Sequence, residues 1–312
     1  MRTLPIALLL SSAACAADAT SAPPAALRPV PEALAEAHEA YLADDMLTMT
    51  RSLRSVLEAD AVDADVRENA LALLDAAYTH ARGSLPADWS LPRGLDKLEI
   101  GQVRVEEPNL VRFTVWLSLT VDDPADLTGL VLRRGDDVLL DLAAGRGRLK
   151  SERQKEGRYY LSLEGDEGAE TAPPGVYEVR IAMRDQAVVS GWVIVGDNVA
   201  ATAPRITAPA RGVRVDANPT LSFEDWRSPA FRPFEERLLW VGVSRAAHLE
   251  WSINVARPDF TEVVVGQDGR GQPETKLAPG RHWVAVQFTE VRRFGPMRVA
   301  RAARTQGPFD VR

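Results

Sequence analysis

The sequence holds one cysteine, Cys15, among 312 residues, so no intrachain disulfide can brace the fold and core burial must hold it together. Lysine is nearly as scarce: Lys97, Lys150, Lys155 and Lys276 are the four among 37 basic side chains, and the rest are arginine. Against 44 acidic residues this leaves a net charge of −7, which opposes a polyanion, and no nucleic-acid partner is expected. The four histidines, His38, His80, His248 and His282, fit neither an H-E-x-x-H nor a Cys/His zinc spacing, so no metal site is expected. A G-x-S-x-G elbow, a P-loop and a dinucleotide-binding glycine pattern are all missing. Gly266-Gln-Asp-Gly269-Arg-Gly271 has neither glycine spacing and reads as a hairpin turn. No catalytic residue and no cofactor are expected, and the chain does not read as an enzyme. Nor does any apolar run approach the ~20 residues that cross a bilayer as a helix.

What is present starts at the N-terminus. Met1-Arg2-Thr3 precedes an apolar run from Leu4 to Leu10, then the small residues Ser11-Ser12-Ala13-Ala14-Cys15-Ala16-Ala17. A charged start, a short apolar core and small residues form an export signal over residues 1–15. The cysteine closing that run resembles the lipobox of bacterial lipoproteins, with Ser12 where that family usually has Leu. The resemblance implies that Cys15 becomes the acylated first residue of the mature chain, which would then sit on a membrane through its N-terminal lipid. Ala16 after the cysteine resembles the outer-membrane sorting of Gram-negative lipoproteins, facing the periplasm or the surface. Cleavage after Ala16 or Ala17 satisfies the small-residue rule equally and would give a soluble exported protein. Residues 16–31, rich in Ala, Ser, Thr and Pro, read as a flexible tether.

From residue 32 to 84 the apolar positions recur at helical spacing: Met46, Met49, Leu53, Val56 and Leu57, then Val66, Ala70, Leu73, Leu74 and Ala77. Asp65-Val66-Arg67-Glu68 has the form of a capping box. Tyr41 to Met46, Leu53 to Asp60 and Ala70 to Gly83 resemble tetratricopeptide-type helical hairpins over about one and a half repeats, with Met49 where a small Ala is usual. Such repeats need roughly three copies to stand alone, so this segment must pack on the next domain or on a partner, as a cap or as a peptide-binding groove.

After Pro92 the period switches to two, in Val111 to Leu119, Tyr177 to Ile181 and Trp192 to Ile194 among others, with turn residues at short intervals. That pattern predicts a β-sandwich over 92–197 and a second over 203–312. Pro174-Gly175-Val-Tyr177-Glu-Val179-Arg-Ile181 recurs 105 positions on as Pro279-Gly280-Arg-His282-Trp-Val284-Ala-Val286. One immunoglobulin-like module is about 100 residues, so this is a domain period and implies two separately closed cores. Leu277-Ala-Pro279-Gly280 before His282-Trp283 resembles the corner turn of fibronectin type III and related immunoglobulin-like modules. In that family a Tyr comes after the turn and bonds back to the backbone; Trp283 stands nearest that place.

Charged runs read as surface. Asp122, Asp123 and Asp126, and Glu164, Asp166, Glu167 and Glu170, lack the ligand order of a calcium loop and read as solvated turns. Arg146, Arg148, Lys150, Arg153, Lys155 and Arg158 precede the second acidic run by one strand and read as a salt-paired hairpin. The candidate binding face is the loop from Phe223 to Phe234, where Trp226, Arg227, Phe231, Arg232 and Phe234 are residue types enriched at interfaces and at sugar-stacking sites. The same aromatics could instead plug one end of the second sandwich. Three functions are consistent with this pattern: an envelope lipoprotein that binds or assembles with another envelope protein, a carbohydrate-binding accessory module whose loop stacks on a glycan, or, ranked last, an enzyme whose site the sequence does not reveal.

Overall fold

The computed structural model describes residues 30–312 apart from 60–61, 108–109, 155, 169–171, 197–203, 210–212, 225–235, 247, 256–261 and 267–275. Three helices come first: α1 (Val30–Leu42), α2 (Met46–Glu58) and α3 (Ala64–His80). Asp45 starts α2, its carboxylate accepting from the Thr48 amide at 3.0 Å and the Thr48 hydroxyl at 2.7 Å. α3 begins one residue before the expected capping box, after Asp63, whose side chain makes no cap bond. Asp65 therefore lies inside the first turn. Ala37, Met49, Leu53, Leu74 and Ala77 are buried in one cluster with residues of the strands beyond, so the helices cap the first sandwich.

The first module contains β1 (Ser84–Leu85), β2 (Leu95–Glu107), β3 (Leu110–Val121), β4 (Leu127–Arg134), β5 (Asp137–Asp141), β6 (Arg148–Arg153), β7 (Tyr159–Glu164), β8 (Gly175–Met183) and β9 (Val189–Val195). The second contains β10 (Ile206–Ala208), β11 (Arg214–Val215), β12 (Thr220–Phe223), β13 (Glu236–Arg245), β14 (His248–Val255), β15 (Glu262–Val264), β16 (Gly280–Phe294) and β17 (Met297–Val311). In the first module the order β5-β4-β8-β9 makes one layer and β2-β3-β7-β6 the other. In the second, β14-β13-β16-β17 repeats the first of these orders, opposite β10-β12-β15. The sequence echo is thus an echo of position: β8 and β16 are the same strand of two immunoglobulin-like β-sandwiches.

The modules have separate apolar clusters, one around Leu98, Leu117, Leu132 and Ile181, the other around Leu239, Val241, Val286 and Phe288. They are nevertheless joined by backbone. β17 pairs in parallel with β2 from Arg298↔Glu99 to Thr305↔Glu106, fusing a layer of each module into one ten-stranded sheet. The reason is length. β16 and β17 have 15 residues each, so the hairpin is about 50 Å long where a common strand spans about 20 Å. Its inner portion carries Val284, Val286, Phe288 and Phe309 into the second core, while Phe294, Met297 and Val299 near its tip are buried in the first. β1 runs parallel to the tip, and Gly295 donates to the Leu85 carbonyl at 2.7 Å. Between the cores, on the same face of the hairpin, Glu290 is 3% exposed and lies 3.6 Å from Arg237 and 3.4 Å from Arg301.

Candidate binding cleft

One face of α3 presents Ala64, Arg67, Leu71, Leu74 and Tyr78 at helical spacing. This stripe does not close completely on the sheet. Between it, the Pro174 turn, the end of β9 at Ile194–Gly196 and the hairpin residues Arg292, Val299 and Arg301 lies a cleft of about 630 Å³, the size of a small-molecule site. Four stretches of chain, separated in sequence, build it.

Tyr78 forms part of the lining. It is 2% exposed, and its hydroxyl has no hydrogen-bond partner among the described residues. Burial disfavours the phenolate and holds the Tyr78 hydroxyl well above the usual tyrosine range, an effect that Arg292 and Arg301 only partly oppose. The Arg292 guanidinium lies 4.8 Å from the centre of the Tyr78 ring and donates to Asp75 at 2.8 Å. Arg301 is turned toward Glu290. The inner charges of the cleft are therefore matched.

The rim differs. Gly175 opens β8 with φ of 147°, a conformation that disfavours a side chain, and two arginines reach over it. A Cβ at this position would lie 3.4 Å from Arg134 Nε and 3.9 Å from Arg67 Nη1. Gly175 and Arg134 belong to the wall of a second recess of about 450 Å³ that adjoins the cleft at this turn; Asp136 also lines it, as do Arg54 and Arg133, both of which are neutralised. Glu178 accepts from Arg133 at 2.6 Å and from Arg54 at 3.3 Å, and Glu58 accepts from Arg54 at 2.8 Å. Among the described residues no carboxylate pairs with Arg67 or Arg134; Arg134 has a 3.5 Å contact to the Pro174 carbonyl. Two steps along β8, the Tyr177 hydroxyl donates to the Pro173 carbonyl at 2.6 Å. Burial pushes its pKa up to about 12, with nearby Arg134 acting in the opposite sense.

The second module repeats half of this rim. Arg245, at the end of β13 as Arg134 is at the end of β4, lies 3.6 Å from a Cβ position on Gly280. Among the described residues of this module no helix supplies a second guanidinium. The residue that takes the place of Tyr177 is His282, fully buried, and not Trp283 as the corner-turn reading expects: Trp283 points outward and is 41% exposed. The alternation along β16 decides this, since neighbouring residues face opposite sides of the sheet.

The charged runs singled out by the sequence lie on the surface of the first module. Lys150 pairs with Glu164 across the β6–β7 hairpin at 2.8 Å, whereas Arg158 pairs with Asp96 and Asp122 and Glu167 is taken by Arg112 from outside the basic run, so among the described residues the salt-paired hairpin reduces to the single pair Lys150–Glu164 between the two runs. Asp123 accepts from the Ala125 amide at 2.9 Å, and Asp126 faces Arg184 at 3.8 Å. Cys15, Lys155 and Glu170 lie outside the described residues, as do Trp226, Arg227, Phe231, Arg232 and Phe234 of the aromatic loop. Phe223 at its start is a core residue of the second module. Sequence reasoning missed the cleft because Arg67 read as part of a capping box and nothing in the local pattern singled out Arg134. The available signal was an arginine heading an apolar helical stripe.

Residues 30–310 match the family described as "Protein of unknown function (DUF2861)". The chain belongs to this family. No curated protein matches it. Among solved structures it is similar to the mouse nectin-like molecule 4 ectodomain (Ig1–Ig3), at 12% identity over 64% of this chain and 59% of that one, with a TM-score of 0.18. The chain thus spans less than two thirds of that ectodomain. Murine CEACAM1b gives 12% identity over 69% of this chain and 99% of that one, TM-score 0.19. The Bacteroides ovatus mixed-linkage glucan utilization locus protein SGBP-B, solved with a mixed-linkage heptasaccharide, gives 11% over 71% and 62%, TM-score 0.16.

Proposed function

We propose that this protein is an exported, non-catalytic binding module of the bacterial cell envelope, anchored by lipid on Cys15 and holding a ligand in the cleft between α3 and the β16–β17 hairpin. The observation that carries the reading is the composition of the cleft wall. α3, the Pro174–Gly196 region and the hairpin all contribute, so an occupant would touch the helical cap and strands of both modules at once. The groups facing the cleft are guanidinium, carboxylate, phenol and aliphatic side chains, a set suited to holding a molecule by ion pairing and apolar contact.

Two measurements test this. A fragment screen by ligand-observed NMR on the full mature chain should yield binders that shift the methyl signals of Leu71, Ile194 and Val299. Ala72→Trp, which places a large ring on the exposed lip of the cleft, should abolish them. Binders indifferent to Ala72→Trp, or no binders, would show that the cleft is not a binding site. For the anchor, Cys15→Ser should move the protein from the membrane fraction to the soluble periplasm; identical fractionation without lipid would sink the lipoprotein reading.

A further inference from the structure

We infer that the cleft takes an elongated ligand with an apolar body and a single oxyanion head, carboxylate or phosphate, seated between Arg67 and Arg134 over the Pro174–Gly175 turn. The inference rests on the cleft being the binding site and adds the ligand's chemical class.

Charge at the rim calls for the head. Two guanidinium groups approach one glycine, to 3.4 and 3.9 Å of the same point, with no carboxylate of the described residues paired to either. Two cations held this way repel each other, and an anion placed between them reverses the sign of the interaction. The other two arginines of the adjoining recess, Arg54 and Arg133, are already occupied by Glu58 and Glu178. A guanidinium presents its donors in a planar fork that matches carboxylate and phosphate oxygens. Ala64, the first residue of α3, lines the same end of the cleft, so the positive end of the helix dipole adds to the attraction.

Nearby acids limit the ligand to one such head. Asp65 and Glu68 lie in the first turns of the same helix, and Glu68 lines the cleft. A polyanion would meet them. Deeper in, Arg292 and Arg301 are matched by Asp75 and Glu290, so no second anionic group is called for there. The walls between are Leu71, Leu74, Ile194 and Val299, which accept an apolar body. From Arg67 to Tyr78 the helix rises about 16 Å, which sets the reach of an extended ligand.

The test uses the full mature chain and three probes with one alkyl body: decanoate, decyl phosphate and decanol, measured by calorimetry. At least one of the anions should bind about tenfold more tightly than decanol, and its affinity should fall as salt rises. Which of the two binds better separates a carboxylate ligand from a phosphate one. Arg67→Gln and Arg134→Gln should each weaken the anion about tenfold and leave decanol unchanged, while Arg134→Lys should retain part of the effect. Thermal melts of the variants, both at half-buried rim positions, check that folding is intact. Equal binding of decanol and both anions, or anion binding unmoved by both Gln variants, would overturn the inference. If Ala72→Trp still abolished binding in that case, the cleft would stand as a site and the anionic head alone would fall.

Discussion

Tyr177 and His282 occupy the same place in two modules, 105 positions apart, and each ties its ring back to the turn that precedes it. The Tyr177 hydroxyl donates to the Pro173 carbonyl at 2.6 Å, while Nδ1 of His282 lies 3.0 Å from the Gly280 carbonyl and Nε2 lies 3.0 Å from a Glu250 carboxylate oxygen. Both turns lead into an inner strand of the layer, β8 between β4 and β9 and β16 between β13 and β17. Removing the polar atom should therefore cost more than an exposed hydrogen bond would. Tyr177→Phe keeps the ring and loses one bond, about 1–2 kcal/mol. His282→Phe leaves both neighbours of a fully buried ring without their partner, and about 2–3 kcal/mol is expected. Urea unfolding of the two variants measures this, and equal, negligible losses would show that the turns hold by packing alone.

Tyr177 also sets an alkaline limit. Its folded pKa of about 12 exceeds the ordinary tyrosine value, because burial penalises the phenolate. A raised pKa means that the stabilisation is complete below about pH 10, where the unfolded residue is still protonated, and is lost as pH climbs through the folded value. The urea midpoint should therefore fall between about pH 10 and pH 12. In Tyr177→Phe the fall should be shallower, whereas below that window the two curves should run parallel. A variant as steep as the wild type would assign the alkaline loss to other groups, Tyr78 first.

The repeat that relates Tyr177 to His282 was legible in the sequence, because a Pro-Gly turn leading into alternating core residues is a local pattern. The sandwich layers come from the same alternation, and the helical cap from the spacing of Met49, Leu53 and Leu74. The joining of the modules was not legible. Arg298 to Thr305 reads as an ordinary strand, and nothing local says that its free edge meets Glu99 to Glu106 two hundred positions earlier. The cleft was hidden for the same reason: Arg67, Arg134 and Gly175 converge only after a helix and two strands have been packed together. Short-range periodicity reports which face of an element is buried, not which distant element covers it.

At the boundary between the two cores, Glu290 is held by Arg237 and Arg301 within a buried stretch of the hairpin. Glu290→Ala would remove the buried carboxylate that both guanidinium groups share, and a loss of about 2–4 kcal/mol is expected, discounted for the partial exposure of the arginines. Replacing all three together, Arg237→Met with Glu290→Leu and Arg301→Leu, should restore stability to near the wild-type value or above it, because the desolvation cost of the ions disappears. Thermal melts of the single and triple variants decide. A triple variant as damaged as the single one would mean that the cluster fixes the registry of the hairpin and not merely its charge.

Without the first module, the second keeps its core but loses the cover of one edge. A fragment from Ala203 to Arg312 retains the whole cluster around Val241, Val286 and Phe288, so it should fold, with a β-type circular dichroism signal and cooperative unfolding. It would lose the partner of β17 from Arg298 to Thr305 and the apolar surroundings of Phe294, Met297 and Val299. A long strand edge with unpaired amides and a bare apolar tip is a template for association. The fragment should therefore self-associate with rising concentration in sedimentation experiments, and amides of the outer hairpin should exchange faster than those of Val284 to Phe288. Cutting the hairpin back, with an Asn-Gly turn in place of residues 290–301, should give a monomer of equal or greater stability. In the full chain the complementary change is Phe294→Ala, which should cost about 3–5 kcal/mol and be felt in the first module, whose core that ring completes. A fragment that fails to fold would show that the second core depends on the shared sheet. A fragment that folds, stays monomeric and protects its outer amides would show that the edge of β17 needs no cover, and that the pairing with β2 contributes orientation alone.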